Sequence, residues 1–184
     1  MKYKLTEMTK IYNGRILHQI KALKDFSNVK KGDLGGWIKS ESNLSQYGRC
    51  WVYHNARVFG NAEVLGNARV FDDAEVSGDA RVFGNSGVYD NAKVYDNSKV
   101  FSDAGVFENA KVFGESRVFG ESRVFGDAEV YDDAEVFGKS EIYDNAKVFE
   151  YAKVFGKSEV FGNSEVSGDT KVSGDAEILN KNLK

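Results

Sequence analysis

The sequence predicts an all-β protein: a parallel β-helix solenoid of about seven 18-residue coils with a small N-terminal β-hairpin cap. Three observations predict it. An aliphatic residue recurs at every sixth position from Val52 to Ile178, at twenty-two sites without an insertion, all Val except Ile142 and Ile178. Ala or Ser stands two positions before each of these, with Cys50 and Thr170 as the exceptions. The chain also has 19 Gly and no Pro, so it needs many permissive backbone positions but no proline turns.

A period of six fits neither a helix nor a heptad coiled coil. Within each unit, Ala-x-Val-Phe alternates as a short strand does. Ala and Val point one way, and the charged residue and the aromatic point the other. Gly-Asn or Asp-Asn then turns the corner, because these residues tolerate positive φ. Three units make a triangular coil with Val and small residues inside. At about 4.8 Å per coil the body is expected to be roughly 34 Å long.

Residues 1–43 depart from the repeat and are expected to form the cap, with the solenoid over 44–184. Lys2–Leu23 fits a β-hairpin turning at Asn13-Gly14. Asp25–Ile38 forms a turn-rich link with Phe26, Leu34 and Trp37 as anchors. Residues 44–51 form an imperfect first unit. Leu44 and Cys50 take the small slot, Gln46 the Val slot, Tyr47 the aromatic slot and Gly48 the corner. At the other end, Ala176–Lys184 is a thin cover over an open β edge, guarded by Lys181 and Lys184.

The hexad, an aliphatic residue with a small residue four places on, resembles the hexapeptide repeat of left-handed parallel β-helix proteins, which implies a left-handed coil. General chirality rules favour right-handed crossovers and would not have given that hand. The slot after the aliphatic residue departs from that pattern, since here it is mostly Phe or Tyr. The stretch Asp25–Tyr53, with DFSNVKKGDLGGW followed by LSQYGRCW, is similar to a bacterial and phage family of hexapeptide-repeat proteins with an N-terminal GGW cap. Some members of that family carry an acetyltransferase label. The resemblance therefore implies an acyltransferase as one function, although a fold alone does not fix a function.

Composition narrows the classes. A single cysteine, Cys50, permits no intrachain disulfide and fits a reducing, cytoplasmic setting. No signal peptide and no membrane-spanning run are expected. Residues 1–50 hold ten Lys/Arg against four Asp/Glu, and residues 51–184 hold fifteen against twenty-four, a basic end on an acidic body. Direct nucleic-acid binding by the body is therefore not expected, and only the cap could touch phosphate.

No catalytic residue, metal site or cofactor is expected. The only histidines are His18 and His54, each read as a solvated residue with no partner for general-base work. Zinc, calcium, dinucleotide and P-loop patterns are absent. Extruded loops, which would build a pocket between coils, are absent too. Thr170 is the only threonine of the body, so a threonine-ladder ice-binding face is excluded.

The outer surface carries the functional expectation. One column holds Phe83, Phe101, Phe119, Phe137 and Phe155, an apolar stripe fit for a protein partner or a second copy of the chain. The same stacking also serves stability. Acidic corners form two ridges, and Asp132, Asp133 and Glu150 are the expected binding residues there. Asp is also simply a good corner residue. The leading expectation is a non-enzymatic binding or scaffold solenoid. In its sharper form this is a phage-type counter-defence inhibitor that mimics nucleic acid in the basic groove of a host nuclease. The alternatives are an acyltransferase with a subunit-interface site and a self-assembling polymer.

Overall fold

Nearly every hexad folds into a two-residue strand formed by the aliphatic residue and the residue before it, followed by a corner. The structure, a computed structural model, describes residues 1–184. The cap contributes β1 (Tyr3–Tyr12), β2 (Arg15–Ala22) and β3 (Leu34–Ile38). The first three rungs are β4 (Trp51–Val52), β5 (Arg57–Val58) and β6 (Glu63–Val64). Each founds one face of the solenoid. The β4 face has eight strands and the β6 face seven; the β5 face runs to eleven because β1, β2 and β3 are added to its end. The only helical segment is a 3-10 turn at Glu41–Asn43, and no helix is long and apolar enough to cross a membrane.

Strands pair in parallel at an offset of 18 residues, as in Val52↔Val70↔Val88↔Val106. The backbone bonds follow this offset: the Tyr53 N–H donates to the Val70 carbonyl at 2.8 Å and the Phe71 N–H to that of Val88 at 2.9 Å. Inside, Val and Ala columns run the length of the body with essentially no exposure. Serine can replace alanine there because its hydroxyl finds acceptors. Ser122 Oγ lies 2.8 Å from the Phe119 carbonyl and 3.3 Å from that of Val136. A buried hydroxyl without such a partner would cost about 1–3 kcal/mol.

The corners have a repeating device of their own. The first corner residue has positive φ, and where it is not glycine it is usually acidic, as at Asp90 (φ 58), Glu108 (φ 59), Asp132 (φ 55) and Glu150 (φ 57). Its carboxylate accepts the backbone N–H of the same slot one coil on. Glu108 N–H donates to Asp90 at 3.0 Å, Gly126 N–H to Glu108 at 2.7 Å and Gly168 N–H to Glu150 at 2.6 Å. The acid supplies an acceptor that glycine cannot.

The cap meets the expectation of a hairpin at Asn13-Gly14, with Tyr12 opposite Arg15 and both turn residues at positive φ. β2 pairs antiparallel with β3, and β3 pairs parallel with β5, so β3 is itself a rung. Gly35 and Gly36 make this possible. A Cβ on Gly35 would lie 2.6 Å from the Val52 carbonyl oxygen, and one on Gly36 would lie 2.6 Å from that of Ala56. Trp51 is buried edge-on against Tyr3 and Phe26. Lys2 is buried too, and its ammonium donates to the Cys50 carbonyl (2.8 Å), Cys50 Sγ (3.2 Å) and the Tyr47 carbonyl (3.4 Å).

Two details of the sequence reading need correction. Leu44, not Gln46, takes the core slot, where it is bridged to Val64. Gln46 instead turns its amide to the cap, accepting from the Lys2 N–H at 2.7 Å and donating to the Tyr3 carbonyl at 3.2 Å. An amide in the apolar slot would have had no such partners. Leu34 is 57% exposed and anchors nothing; Phe26 and the half-buried Trp37 do.

Candidate functional site

The β6 face holds the longest unbroken aromatic column. Phe83, Phe101, Phe119, Phe137 and Phe155 stack at 4.8–4.9 Å between centroids, within 6° of parallel. That spacing is the rung spacing, so each ring sits directly over the next. All five are half-buried. Because ring faces are used up by mutual stacking, the column offers solvent its ring edges. A nucleobase or a sugar needs a free aromatic face, so this column suits the apolar surface of a protein better.

The other two columns are broken. On the β4 face, Phe107, Phe125, Tyr143 and Phe161 stack at 4.9 Å, and a separate group runs through Tyr53, Phe71 and Tyr89. Tyr89 leaves the line because its ring lies over Gly87, which has no side chain to hold it off. On the β5 face, Tyr95 to Phe149 stack, but Ser77 separates them from Phe59. The hairpin tip covers Phe59 instead, with Tyr12 edge-on at 5.8 Å and its hydroxyl donating to Glu75 at 2.7 Å.

Beside the phenylalanines runs a basic column of Arg81, Lys99, Arg117, Lys153 and Lys171, and most of its charge is neutralised. Arg81 pairs with Glu63 at 3.0 Å, while Arg117 and Lys153 share Glu135 at 3.3 and 2.8 Å. Lys99 makes no ion pair.

Asp132, Asp133 and Glu150 line one shallow cleft of about 350 Å³ with Gly114, Glu115 and Tyr151, on the corner between the β5 and β6 faces. A second depression bordered by Glu115, Arg117, Asp133, Glu135, Tyr151 and Lys153 runs from this corner toward the phenylalanines. Arg117, Glu135 and Lys153 thus stand between the acidic corner and the aromatic column of the same face. The three acids differ, however. Asp132 accepts from the Glu150 N–H at 3.4 Å and Glu150 from the Gly168 N–H at 2.6 Å, whereas Asp133 makes no hydrogen bond or ion pair.

Reading His54 from the sequence missed its partner. His54 Nδ1 lies 2.9 Å from Asp72 Oδ1 on the neighbouring coil, leaving Nε2 free on an imidazole that is 64% exposed. The offset of eighteen residues was the signal that could have found it. His18 sits in β2 opposite Thr9 and Ile38. Burial pushes the Cys50 thiol up and the Lys2 ammonium down from their ordinary values. A buried thiol held protonated is a poor nucleophile. No group of three or more His, Cys, Asp or Glu is placed to hold a metal ion.

Uninterrupted rungs, stacked corners and no extruded loop define a parallel β-solenoid. No protein-family model matches the chain. Over 60 residues, 28% of this chain, it is 38% identical to the uncharacterized acetyltransferase YdcK of Escherichia coli (strain K12). The matched stretch spans 18% of that relative's length.

Proposed function

We propose that this chain is a binding solenoid that docks a protein partner, or a second copy of itself, on its β6 face. Phe83, Phe101, Phe119, Phe137 and Phe155 form the apolar contact, and Asp132, Asp133 and Glu150 its acidic border. The observation that carries this reading is the single unbroken ladder, with edges outward, on the only face where no residue of the cap and no gap interrupts it. The acidic border suits a basic groove on the partner, such as that of a nuclease, and Asp133 has the carboxylate free to meet it. Light scattering of the triple variant Phe101→Ser, Phe119→Ser, Phe137→Ser tests the contact. Ser77, Ser167 and Ser173 already occupy the equivalent slot, so the fold is expected to survive. A discrete wild-type oligomer should revert to the 20.4 kDa monomer. Association unchanged in the variant overturns the self-docking form. A monomeric wild type moves the reading to a different protein partner.

A second reading, an acyltransferase with a site at a subunit interface, draws on two observations: the name of the relative and the His54–Asp72 pair. Asp72 would hold the imidazole so that Nε2 takes a proton from the acyl acceptor. Calorimetry with acetyl-CoA separates the readings. Micromolar binding lost in His54→Gln would place the acyltransferase first; no heat at millimolar ligand would remove it.

A further inference from the structure

The seven arginines of the chain have unequal company. Arg57, Arg81, Arg117 and Arg123 each pair with a carboxylate on a neighbouring coil. Arg15 bonds the Asn13 carbonyl and lies over the Phe59 ring. The remaining two, Arg49 and Arg69, have no carboxylate and no hydrogen-bond acceptor, and both line the same cleft. It measures about 220 Å³, sits on the corner between the β6 and β4 faces, and is completed by Asn67 and Asn85. It contains no acid and no apolar side chain.

This arrangement has a cost that the rest of the molecule avoids. Two guanidinium groups on one cleft repel each other, and everywhere else along the body the chain sets a carboxylate beside its arginines. The asparagines are oriented as well. Asn67 donates to Asn85 at 2.9 Å, and Asn85 donates to Asp103 at 2.9 Å. Each amide thus spends one N–H on the coil beyond and keeps the other. Asp103 stands outside the cleft, at the far end of this relay. The cleft also lies at the basic end of the chain, where residues 1–50 carry ten Lys/Arg against four Asp/Glu.

We propose that Arg49 and Arg69, with Asn67 and Asn85, form a binding site for a phosphate group. A tetrahedral dianion matches planar guanidinium forks, which bind its oxygens pairwise, and it removes the repulsion between them. The proposal does not rest on the docking face, although the cleft borders it at Asn85, two residues after Phe83.

The probe is inorganic phosphate, titrated into the full chain while the arginine Nε–Hε signals are followed by NMR. The Arg49 and Arg69 signals should shift together and saturate with one dissociation constant, while those of Arg81, Arg117 and Arg123 stay in place. Arg49→Gln and Arg69→Gln should each weaken binding about tenfold or more, as loss of one charge-assisted contact does. Arg123→Gln, on the same face but paired with Glu141, should bind as the wild type does. Methyl phosphate is the second arm. Binding tighter than inorganic phosphate assigns the site to an esterified ligand, and weaker binding assigns it to free phosphate. Shifts spread over all arginines without saturation overturn the site. So does binding retained in the double variant, and the wild-type shift pattern decides even if a variant misfolds.

Discussion

Ser122 and Ala104 fill the same column of the core, one coil apart, and either residue serves there. Gly36 has no such counterpart. In the core of the repeats, a side chain meets the surroundings its equivalents meet 18 residues before and after, so a substitution already present in one coil fits the others. In the cap, β3 must enter beside the β4 rung and beneath β2, and each contact there is made once. The fold is tolerant along the repeats and brittle where the cap joins them. The solenoid spreads its stability over many like interfaces, as repeat architectures do. The cap concentrates its share on Gly35, Gly36, Lys2 and Tyr3, which pack against Trp51 and Cys50 at the first rung.

The largest effect is expected from Gly36→Ala. The added Cβ meets the Ala56 carbonyl oxygen at 2.6 Å and Val52 Cγ1 at 2.7 Å, neither of which can yield without moving a rung. The expected loss is about 3 kcal/mol. The chain's two tryptophans, Trp37 and Trp51, both lie at this junction, so fluorescence-detected urea unfolding reads it directly. A midpoint equal to that of the wild type would dissolve the distinction between the two regions.

Alkaline pH probes both regions at once. Burial, helped by nearby Glu41, raises the Tyr3 hydroxyl well above its ordinary value. In the repeats, burial and a hydrogen bond to the Glu159 carboxylate push Tyr143 up to about 12. Both groups keep their protons longer in the folded state than in the unfolded one. Their contribution is therefore complete below pH 10, the ordinary tyrosine value, and is lost as pH rises through the folded value. The melting temperature should fall between pH 10 and about 12, less steeply in Tyr143→Phe. An equal slope in that variant would mean that Tyr143 contributes nothing and that Tyr3 and the other raised tyrosines, Tyr12, Tyr53, Tyr95 and Tyr131, set the alkaline limit.

The smallest effect belongs to Ser122→Ala. It removes hydroxyl contacts of 2.8 and 3.3 Å, but alanine already stands at Ala104 in the same column. The expected cost is under about 1 kcal/mol by thermal unfolding. A loss as large as that of Gly36→Ala would show that the serine columns are not interchangeable with alanine.

The solenoid was legible because the hexad writes the fold six residues at a time. Val marks the inside, the aromatic marks the outside and Gly or Asp marks the turn. The five phenylalanines of the β6 face follow by adding eighteen. What stayed hidden needed a direction as well as a position. Column arithmetic places Tyr89 above Phe107, but only the bare Gly87 lets its ring fold out of line. It likewise places Asp132 above Glu150, but does not give the carboxylate that reaches the next amide. The cap was legible as far as the Asn13-Gly14 turn. Lys2 resembled any solvated lysine; its burial depends on three acceptors left at the top of the first coil, which no local pattern announces.

The offset of eighteen also makes the molecule a ruler. Excising one whole coil would bring the ends closer by one rung, about 4.8 Å, and leave every surviving column on its own face. Excising a single hexad would turn everything beyond the cut by a third of a revolution, and the phenylalanine ladder would continue onto a different side. The length of such a chain can therefore change without disturbing its surface only in whole coils, so the distance between its two ends is graduated rather than continuous.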